Sequence, residues 1–357
     1  MIIHFITGGD IYSYNYINYI QKNFDVSNNK FFVYKNKNYN ENYTTDYPNL
    51  EFYNQEIKFS VKKYIDVVRA ERIILHQLNI PKVMLFWAVF YPFIFKKLLW
   101  VIWGGDLYDY YDPKITVKEK MIEIVRSYFI KRIRFISSYI KGDYELCKKI
   151  YGTKAKYLKS WYPYTINEKV LNLVHSEKIK SPEKVLLVGN SADFRNNHIE
   201  ILEKLKRFKD HNLKLLIILS YGGSEEYIKR VVDYAVTTFG SKVNCLTEYL
   251  KFEDYIQILN STDICIFNHN RQQGLGNINL MLAIKKKVYL RSVTTPFEYY
   301  NSIGIKINDT DTIDKLTWED FTNVTEEELE LNKKLIIEDL DINSINQNWK
   351  AIIDGSW

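Results

Sequence analysis

Short apolar runs alternate with longer stretches of helical period along the chain, the pattern expected of parallel strands buried on both faces and joined by helical crossovers. In the first half the runs predict strands over Ile2–Ile6, Lys30–Tyr34, Ile73–His76, Leu98–Trp103, Arg134–Ser137 and Lys156–Leu158. The stretch from Trp161 to Lys184 is polar, contains two prolines and reads as a crossover helix or linker. The pattern restarts at Lys184–Val188 and continues through Leu213–Leu219, Val243–Leu246, Ile264–Phe267, Val288–Leu290 and Ile303–Ile307. A last helical segment, Asn343–Ile353, is expected to pack back on the first half. The fold class is therefore α/β, with two Rossmann-like halves bounded at residues 1–165 and 166–342 and a closing helix at 343–357.

Composition agrees with that architecture and narrows the setting. A chain of 357 residues, 46% hydrophobic and 26% charged, can bury two cores, which excludes a disordered tail or a disulfide miniprotein. Cys147, Cys245 and Cys265 are widely spaced and form no CxxC, so they support neither a disulfide framework nor a Cys-built zinc site and point to a reducing compartment. The 29 tyrosines sit beside abundant Lys, Asn and Ile, a bias that AT-rich codon usage produces by itself. The N-terminus has no basic, then apolar, leader pattern. Between Val83 and Trp103, Pro92 and the Lys96–Lys97 pair leave 13 apolar residues, too few for a bilayer that needs about 20. Lys82–Phe95 reads instead as a buried or partly interfacial helix.

Charge is divided unevenly. Residues 1–165 carry 25 Lys/Arg against 15 Asp/Glu, and the remainder 24 against 28. The first half, at +10, is thus expected to face something anionic: a nucleic acid, an acidic membrane or a phosphorylated substrate. The segment Ile115–Phe135 mixes apolar positions with Lys118, Arg126, Lys131 and Arg132. It is either a surface helix with a solvated basic face or a helix that lies on an anionic membrane, and the charge of its half favours the membrane.

Ligands of parallel sheets bind beyond the carboxyl ends of the strands, so the residues that follow each run are the candidate chemistry. Arg271-Gln272-Gln273-Gly274-Leu-Gly276-Asn277 follows a strand and opens a helix, and its free N–H groups together with the Arg271 guanidinium suit a phosphate; the alternative is a Gly-rich turn with a surface arginine. Gly189-Asn190-Ser191 has the same context, with Asp193 and Asn196 available to cap the next helix and His198 at its start. Tyr221 follows a further strand of the same half. Asp106, in Trp103-Gly-Gly-Asp106, and Asp10, in Thr7-Gly-Gly-Asp10, are carboxylates presented past strands where a general base for a hydroxyl would stand. Each could equally cap a helix, and His76 is a third polar candidate. Asp309-Thr-Asp311 matches the metal-binding DxD form but opens a late helix and reads as a cap, so no metal is inferred. No GxGxxG follows the first strand, and no P-loop or GxSxG occurs.

At these post-strand motifs the sequence resembles the bacterial 4-acetamido-4,6-dideoxygalactosyltransferases, the dTDP-N-acetylfucosamine:lipid II N-acetylfucosaminyltransferase family of enterobacterial common antigen synthesis. The matching pieces are Ile102-Trp-Gly-Gly-Asp-Leu-Tyr108, Leu187-Val-Gly-Asn-Ser191 with Asp193, Asn196 and His198, Phe252 with Tyr255 and Asp263, and Arg271-Gln-Gln-Gly-Leu-Gly276. The resemblance implies a GT-B fold without a cofactor or metal requirement. It also implies a nucleotide-sugar donor held by the second half and a lipid-diphosphate-linked glycan acceptor held by the first, with the enzyme peripheral at the cytoplasmic face of the inner membrane. Carried over, Gly189, Asn190, Ser191 and Arg271 to Gly276 become donor loops and Asp106 the carboxylate at the cleft. One departure is that many GT-B enzymes carry an acidic residue where Gln273 stands and another eight positions on, where this chain has Met281. Two further readings remain at this level: a non-catalytic binder of nucleotide sugars or lipid-linked glycans with the same fold, and a nucleic-acid-binding protein, for which no RNP, helix-turn-helix or zinc signature is present.

Overall fold

A computed structural model describes residues 1–8, 11–35, 47–53, 61–78, 91–163 and 182–356. The chain divides into two compact units, residues 1–164 with 342–357, and residues 165–341.

The first unit is built on a sheet of seven parallel strands in the order β3-β2-β1-β4-β5-β6-β7. They are β1 (Ile2–Gly8), β2 (Asn29–Lys35), β3 (Leu50–Tyr53), β4 (Arg72–His76), β5 (Leu98–Val101), β6 (Phe135–Ser138) and β7 (Lys156–Lys159). Alternation along β1 assigns its residues to two layers: Ile3 and Phe5 join a core with Ile73, Leu75, Leu98 and Trp100, while Ile2 and Ile6 join one with Phe31, Val33, Ile74 and Leu99. Both faces are covered, which is why the strands read as apolar runs. The helix Ile342–Asp354 covers the second face through Ile345, Trp349 and Ile352. It is tied down where Trp349 Nε1 donates to the Trp161 carbonyl at 2.8 Å and Tyr19 donates to Asn346 at 2.7 Å.

The second unit holds six parallel strands in the order β10-β9-β8-β11-β12-β13. These are β8 (Lys184–Val188), β9 (Leu213–Ile218), β10 (Val243–Leu246), β11 (Ile264–Phe267), β12 (Lys287–Leu290) and β13 (Asn308–Asp309). Strand order reverses direction between β8 and β11, where Leu186 lies opposite Ile264 and Val188 opposite Ile266. That reversal opens the crevice in which such sheets take ligands.

Several expectations change in detail. Leu50–Tyr53, not anticipated, is the edge strand of the first sheet. Ile303–Ile307 is not a strand: the chain turns through Gly304 at φ +86°, and the pairing with β12 is confined to Asn308 and Asp309. Lys306 finds its partners instead on a side chain, donating its N–H to Asn332 Oδ1 at 2.9 Å and accepting from Asn332 Nδ2 at 3.0 Å. The expected helix at 82–95 and the expected crossover helix or linker at 161–184 fall largely outside the described residues.

Candidate active site

The polar groups predicted to follow β8 and β11 come together at the crevice of the second sheet. β8 ends where Gly189 turns at φ +71°, with its N–H bonded to the Ile266 carbonyl of β11 at 3.0 Å. The next N–H, that of Asn190, donates to Asn196 Oδ1 at 3.1 Å, and Asn196 Nδ2 donates to Ser191 Oγ at 3.2 Å and the Asp193 carbonyl at 3.0 Å. Asn196 is thus the strut that holds the Gly189–Asp193 loop open. Asp193 caps the following 3-10 turn by accepting from Arg195 N at 2.9 Å, and the helix His198–Leu205 begins after Asn197.

Across from that loop, Gly274 at φ +66° starts the helix Leu275–Ala283. Its first intrahelical bond is Ile278 N to the Gly274 carbonyl at 3.0 Å, so Leu275, Gly276 and Asn277 contribute the unpaired N–H groups of a helix start. A Cβ at Gly274 would lie 3.1 Å from Asn190 Cγ, so the glycine is what lets the two loops approach. Gln273 Nε2 bridges them, 3.3 Å from both Asn190 Oδ1 and Ser191 Oγ. Arg271 Nε donates to Gln273 Oε1 at 3.1 Å, and its Nη2 lies 3.3 Å from Asp193 Oδ2, which orients the guanidinium toward this cluster without burying an unpaired charge. Gln272 Oε1 is buried with no hydrogen-bond partner. Asn190 Nδ2 donates to the Tyr221 hydroxyl at 3.2 Å, which brings in the loop after β9. The residues predicted to bind the sugar donor therefore occupy one strand-end cluster, which offers hydrogen-bond donors and two guanidiniums, those of Arg271 and Arg195, both 3.3 Å from Asp193 Oδ2.

Two buried histidines lie beneath it. His269, missed by the sequence reading, donates from Nε2 to Asn196 Oδ1 at 2.8 Å, and burial lowers its pKa to about 3. His198 bonds Tyr227 through Nδ1 at 3.0 Å, its Nε2 is without a partner, and burial lowers its pKa to about 4. Both are neutral supports rather than acids.

In the first unit, Asp106 accepts three hydrogen bonds. Its Oδ2 takes Leu78 N at 3.0 Å and Trp100 Nε1 at 2.7 Å, and its Oδ1 takes Trp103 N at 3.0 Å, which pins the segments after β4 and β5 together. Burial pushes its pKa up against those donors and the Arg126 charge. His76, at the end of β4, sits in a hydrogen-bonded chain of single polarity: Trp103 Nε1 donates to the Tyr162 hydroxyl at 2.6 Å, Tyr162 to His76 Nδ1, His76 Nε2 to His4 Nδ1 at 3.4 Å, His4 Nε2 to Asn29 Oδ1 at 3.0 Å and Asn29 Nδ2 to the Asp25 carbonyl at 2.8 Å. The amide of Asn29 sets the tautomers, since its Oδ1 can only accept. Burial holds His4 at about 4 and His76 well below its usual range, so both are neutral and both nitrogens of His76 are used. Asp10 lies outside the described residues. Asp309 caps the turn Thr310–Lys315 through Asp311 N at 2.9 Å, and Asp311 pairs with Lys204 at 2.7 Å.

The basic segment is a helix, Val117–Arg132, started by a Thr116–Glu119 capping box. Its inner face carries the buried Phe129 and Ile130. Val117, Met121, Ile124 and Tyr128 recur at helical spacing on the opposite side and are all exposed, Val117 by 77%. Lys118, Lys131 and Arg132 are exposed beside that stripe. Arg126 departs from the expectation: the helical phase turns it inward, where its guanidinium bonds the Asp106 carbonyl and lies 3.7 Å from Glu123. Among the described residues no helix is long and apolar enough to cross a membrane.

A family model described as 4-alpha-L-fucosyltransferase glycosyl transferase group 56 matches residues 2–299. Among solved structures, the chain is similar to WaaG, a glycosyltransferase involved in lipopolysaccharide biosynthesis, with 12% identity, a TM-score of 0.59, and 99% of this chain and 100% of that one covered. A glycosyltransferase from Rickettsia africae ESF-5 aligns at 12% identity and a TM-score of 0.64 over 99% and 98% of the two chains. An alpha,alpha-trehalose-phosphate synthase (UDP-forming) from Burkholderia vietnamiensis aligns at 9% identity and 0.65 over 99% of each. At these identities the likenesses speak to the fold, which is the GT-B arrangement of two Rossmann-like units.

Proposed function

The chain belongs to the glycosyltransferase group 56 family, a family of glycosyltransferase enzymes described by 4-alpha-L-fucosyl transfer, and from that premise we propose that it moves a 4-acetamido-4,6-dideoxy sugar from a dTDP-linked donor to an undecaprenyl-diphosphate-linked glycan in surface polysaccharide synthesis. The observation that carries the reading is the strand-end cluster of the second unit, where Asn190, Ser191, Gln273 and the start of the helix Leu275–Ala283 surround the Arg271 guanidinium.

In this reading the second unit binds the sugar nucleotide and the first binds the acceptor. The bond between the sugar carbon C1 and the phosphate oxygen breaks with its electron pair left on the diphosphate. Arg271 and the N–H groups of Leu275 to Asn277 take up that charge. The acceptor hydroxyl oxygen bonds to C1 and gives its proton to Asp106, whose raised pKa makes it a stronger base than an ordinary carboxylate. His76 has no nitrogen left for that task, and Asp10 stays a second candidate on its sequence position alone.

A lipid-diphosphate acceptor would be met at the cytoplasmic face of the inner membrane, and the exposed stripe Val117, Met121, Ile124 and Tyr128 with Lys118, Lys131 and Arg132 is the surface that would rest there.

A thermal-shift screen of dTDP-, UDP- and GDP-sugars tests the donor assignment, since a ligand that binds only the folded state raises its melting temperature. The expected preference is for dTDP, and a rise with GDP-sugars alone would overturn it. Transfer to a lipid-linked acceptor by Asp106→Asn, measured beside its melting temperature, tests the base, and near-full turnover removes that role.

A further inference from the structure

The first unit contains a second concavity, away from the strand ends, of about 470 Å³ between the helix Val117–Arg132 and the helix Lys141–Tyr151. We propose that it is a binding site for the headgroup of an anionic phospholipid, a site that rests on the membrane reading above and adds a specific ligand to it.

Its floor is Tyr151, buried, with the hydroxyl donating to Glu123 Oε1 at 2.9 Å. Glu123 is the only carboxylate of the lining, and its other oxygen faces Arg126 Nε at 3.7 Å on the inner side of the helix. Arg126, which also faces the Asp106 carboxyl, offsets the Glu123 charge only in part, and Lys131 and Arg132 outweigh it in the lining of the pocket. Its mouth carries Lys131 and Arg132, neither of which is within ion-pair distance of a carboxylate among the described residues; Arg132 instead lies over the Tyr128 ring at 3.8 Å. Ser127 and Tyr110 add hydroxyls, and neither hydroxyl meets an acceptor among the described residues. The result is a pocket of fitting size for a small ligand, rich in donors, short of acceptors and net positive. A phosphate matches it, while a choline or ethanolamine headgroup would set its ammonium against Lys131 and Arg132.

The surroundings commit the phosphate to a lipid. Ile124 and Tyr128 line the pocket and also belong to the exposed apolar stripe that continues to Met121 and Val117. A headgroup in the pocket would leave its acyl chains along that stripe, and exposed Tyr110 and Tyr128 are residues suited to the boundary between water and lipid. A free phosphate would gain nothing from this continuity.

The test uses the full chain and dihexanoyl-phosphatidylglycerol below its aggregation limit, titrated by calorimetry. One saturable site is expected, with dihexanoyl-phosphatidylcholine and inorganic phosphate binding at least about tenfold more weakly. Ser127→Trp, which fills the pocket and leaves every charge in place, should lower the affinity at least about tenfold, and the Lys131→Ala/Arg132→Ala pair should do the same by removing two charges worth roughly fivefold each. Melting temperatures show whether each variant is folded, and the two act by different means, so either alone decides the matter. Equal binding of phosphatidylcholine, phosphate binding as tight as that of the lipid, or unchanged affinity in a folded variant overturns the proposal. Vesicles separate the two levels: a chain that binds phosphatidylglycerol vesicles but not the monomeric lipid loses only the pocket, whereas one that binds no anionic vesicle loses the membrane reading as well.

Discussion

Gly189→Ala probes the construction of the strand-end cluster. Gly189 sits at φ +71°, where an alanine costs about 1–2 kcal/mol in backbone strain. The added Cβ would lie 2.6 Å from His198 Nε2 and 3.1 Å from Asn196 Oδ1. Neither neighbour yields easily: His198 is fully buried, opens a helix and is held by Tyr227, and Asn196 is the strut that bonds Asn190 N, His269 and Ser191. Overpacking of that kind costs about 1–3 kcal/mol. The total, about 2–5 kcal/mol, should lower the melting temperature of the second unit by roughly 5–15 °C. His198→Ala opens the space, so in the double variant the clash should vanish while the backbone strain stays, a coupling of about 1–3 kcal/mol in a double-mutant cycle read by urea unfolding. Because Asn190 is displaced with Gly189, the thermal shift given by a dTDP-sugar should shrink in Gly189→Ala and recover in part in the double variant. A Gly189→Ala protein within about 0.5 kcal/mol of wild type, or a cycle without coupling, would refute this account of the loop.

Arg271→Ala should weaken dTDP-sugar binding by about 1.5–3 kcal/mol, roughly 10- to 150-fold, because it removes a charge-assisted bond to the diphosphate; an unchanged dissociation constant by calorimetry would exclude the phosphate contact. Buried His4 has a folded pKa of about 4 against an ordinary value near 6.5, so the unfolded chain takes up a proton between those limits that the fold does not. Stability is therefore intact above about pH 6.5 and falls as pH drops toward 4, and His4→Gln should flatten urea-unfolding curves of the first unit over that window by about 1.4 kcal/mol per pH unit. An identical pH slope would contradict a neutral His4. Asn332→Ala removes both partners of the Lys306 backbone, at 2.9 and 3.0 Å, and should cost about 1–3 kcal/mol in the same assay; a loss under about 0.3 kcal/mol would mean that water replaces the side chain.

Most strands were legible because parallel strands covered on both faces have little choice but to be apolar, as Lys184–Val188 and Ile264–Phe267 are. Leu50–Tyr53 escaped because an edge strand needs fewer apolar positions and this one sits among polar residues and Pro48. Ile303–Ile307 misled for the opposite reason: its isoleucines alternate, yet Gly304 turns the chain and a distant asparagine side chain takes the place of a neighbouring strand. Nothing local encodes a partner 26 residues away. The cluster at Gly189 and Arg271 could be anticipated because glycines after strands mark the backbone approach that a ligand crevice requires. Of the buried histidines, His4 and His269 were missed, although for His4 a signal existed. His4 stands inside an apolar strand run, where a polar side chain must find an internal partner, and β1 and β4 being neighbours makes His76 that partner. Arg126 could also have been placed correctly, since it shares a helical face with Phe129, Ile130 and Ile133, all buried.

The proposed anion site lies in the more acidic half of the chain, and the short range of screened charge allows it. Exposed charges farther apart than a Debye length, about 8 Å at physiological salt, scarcely influence one another, so a net of −4 spread over that half matters little to a diphosphate. What matters is within hydrogen-bond reach, and there the cluster presents Arg271, the amides of Asn190 and Gln273 and three helix-start N–H groups, with Asp193 the carboxylate seen to pair with Arg271. In the proposed membrane contact the basic excess of the first half would obey a different rule, because a membrane is an extended surface that sums many cations. Lys118, Lys131 and Arg132 can act on it together although they share no single contact. Raising ionic strength should accordingly weaken vesicle binding steeply and sugar-nucleotide binding only slightly. Equal salt dependence of the two would mean that both ligands respond to bulk charge, and the assignment of Arg271 and the helix start as a local diphosphate site would fail.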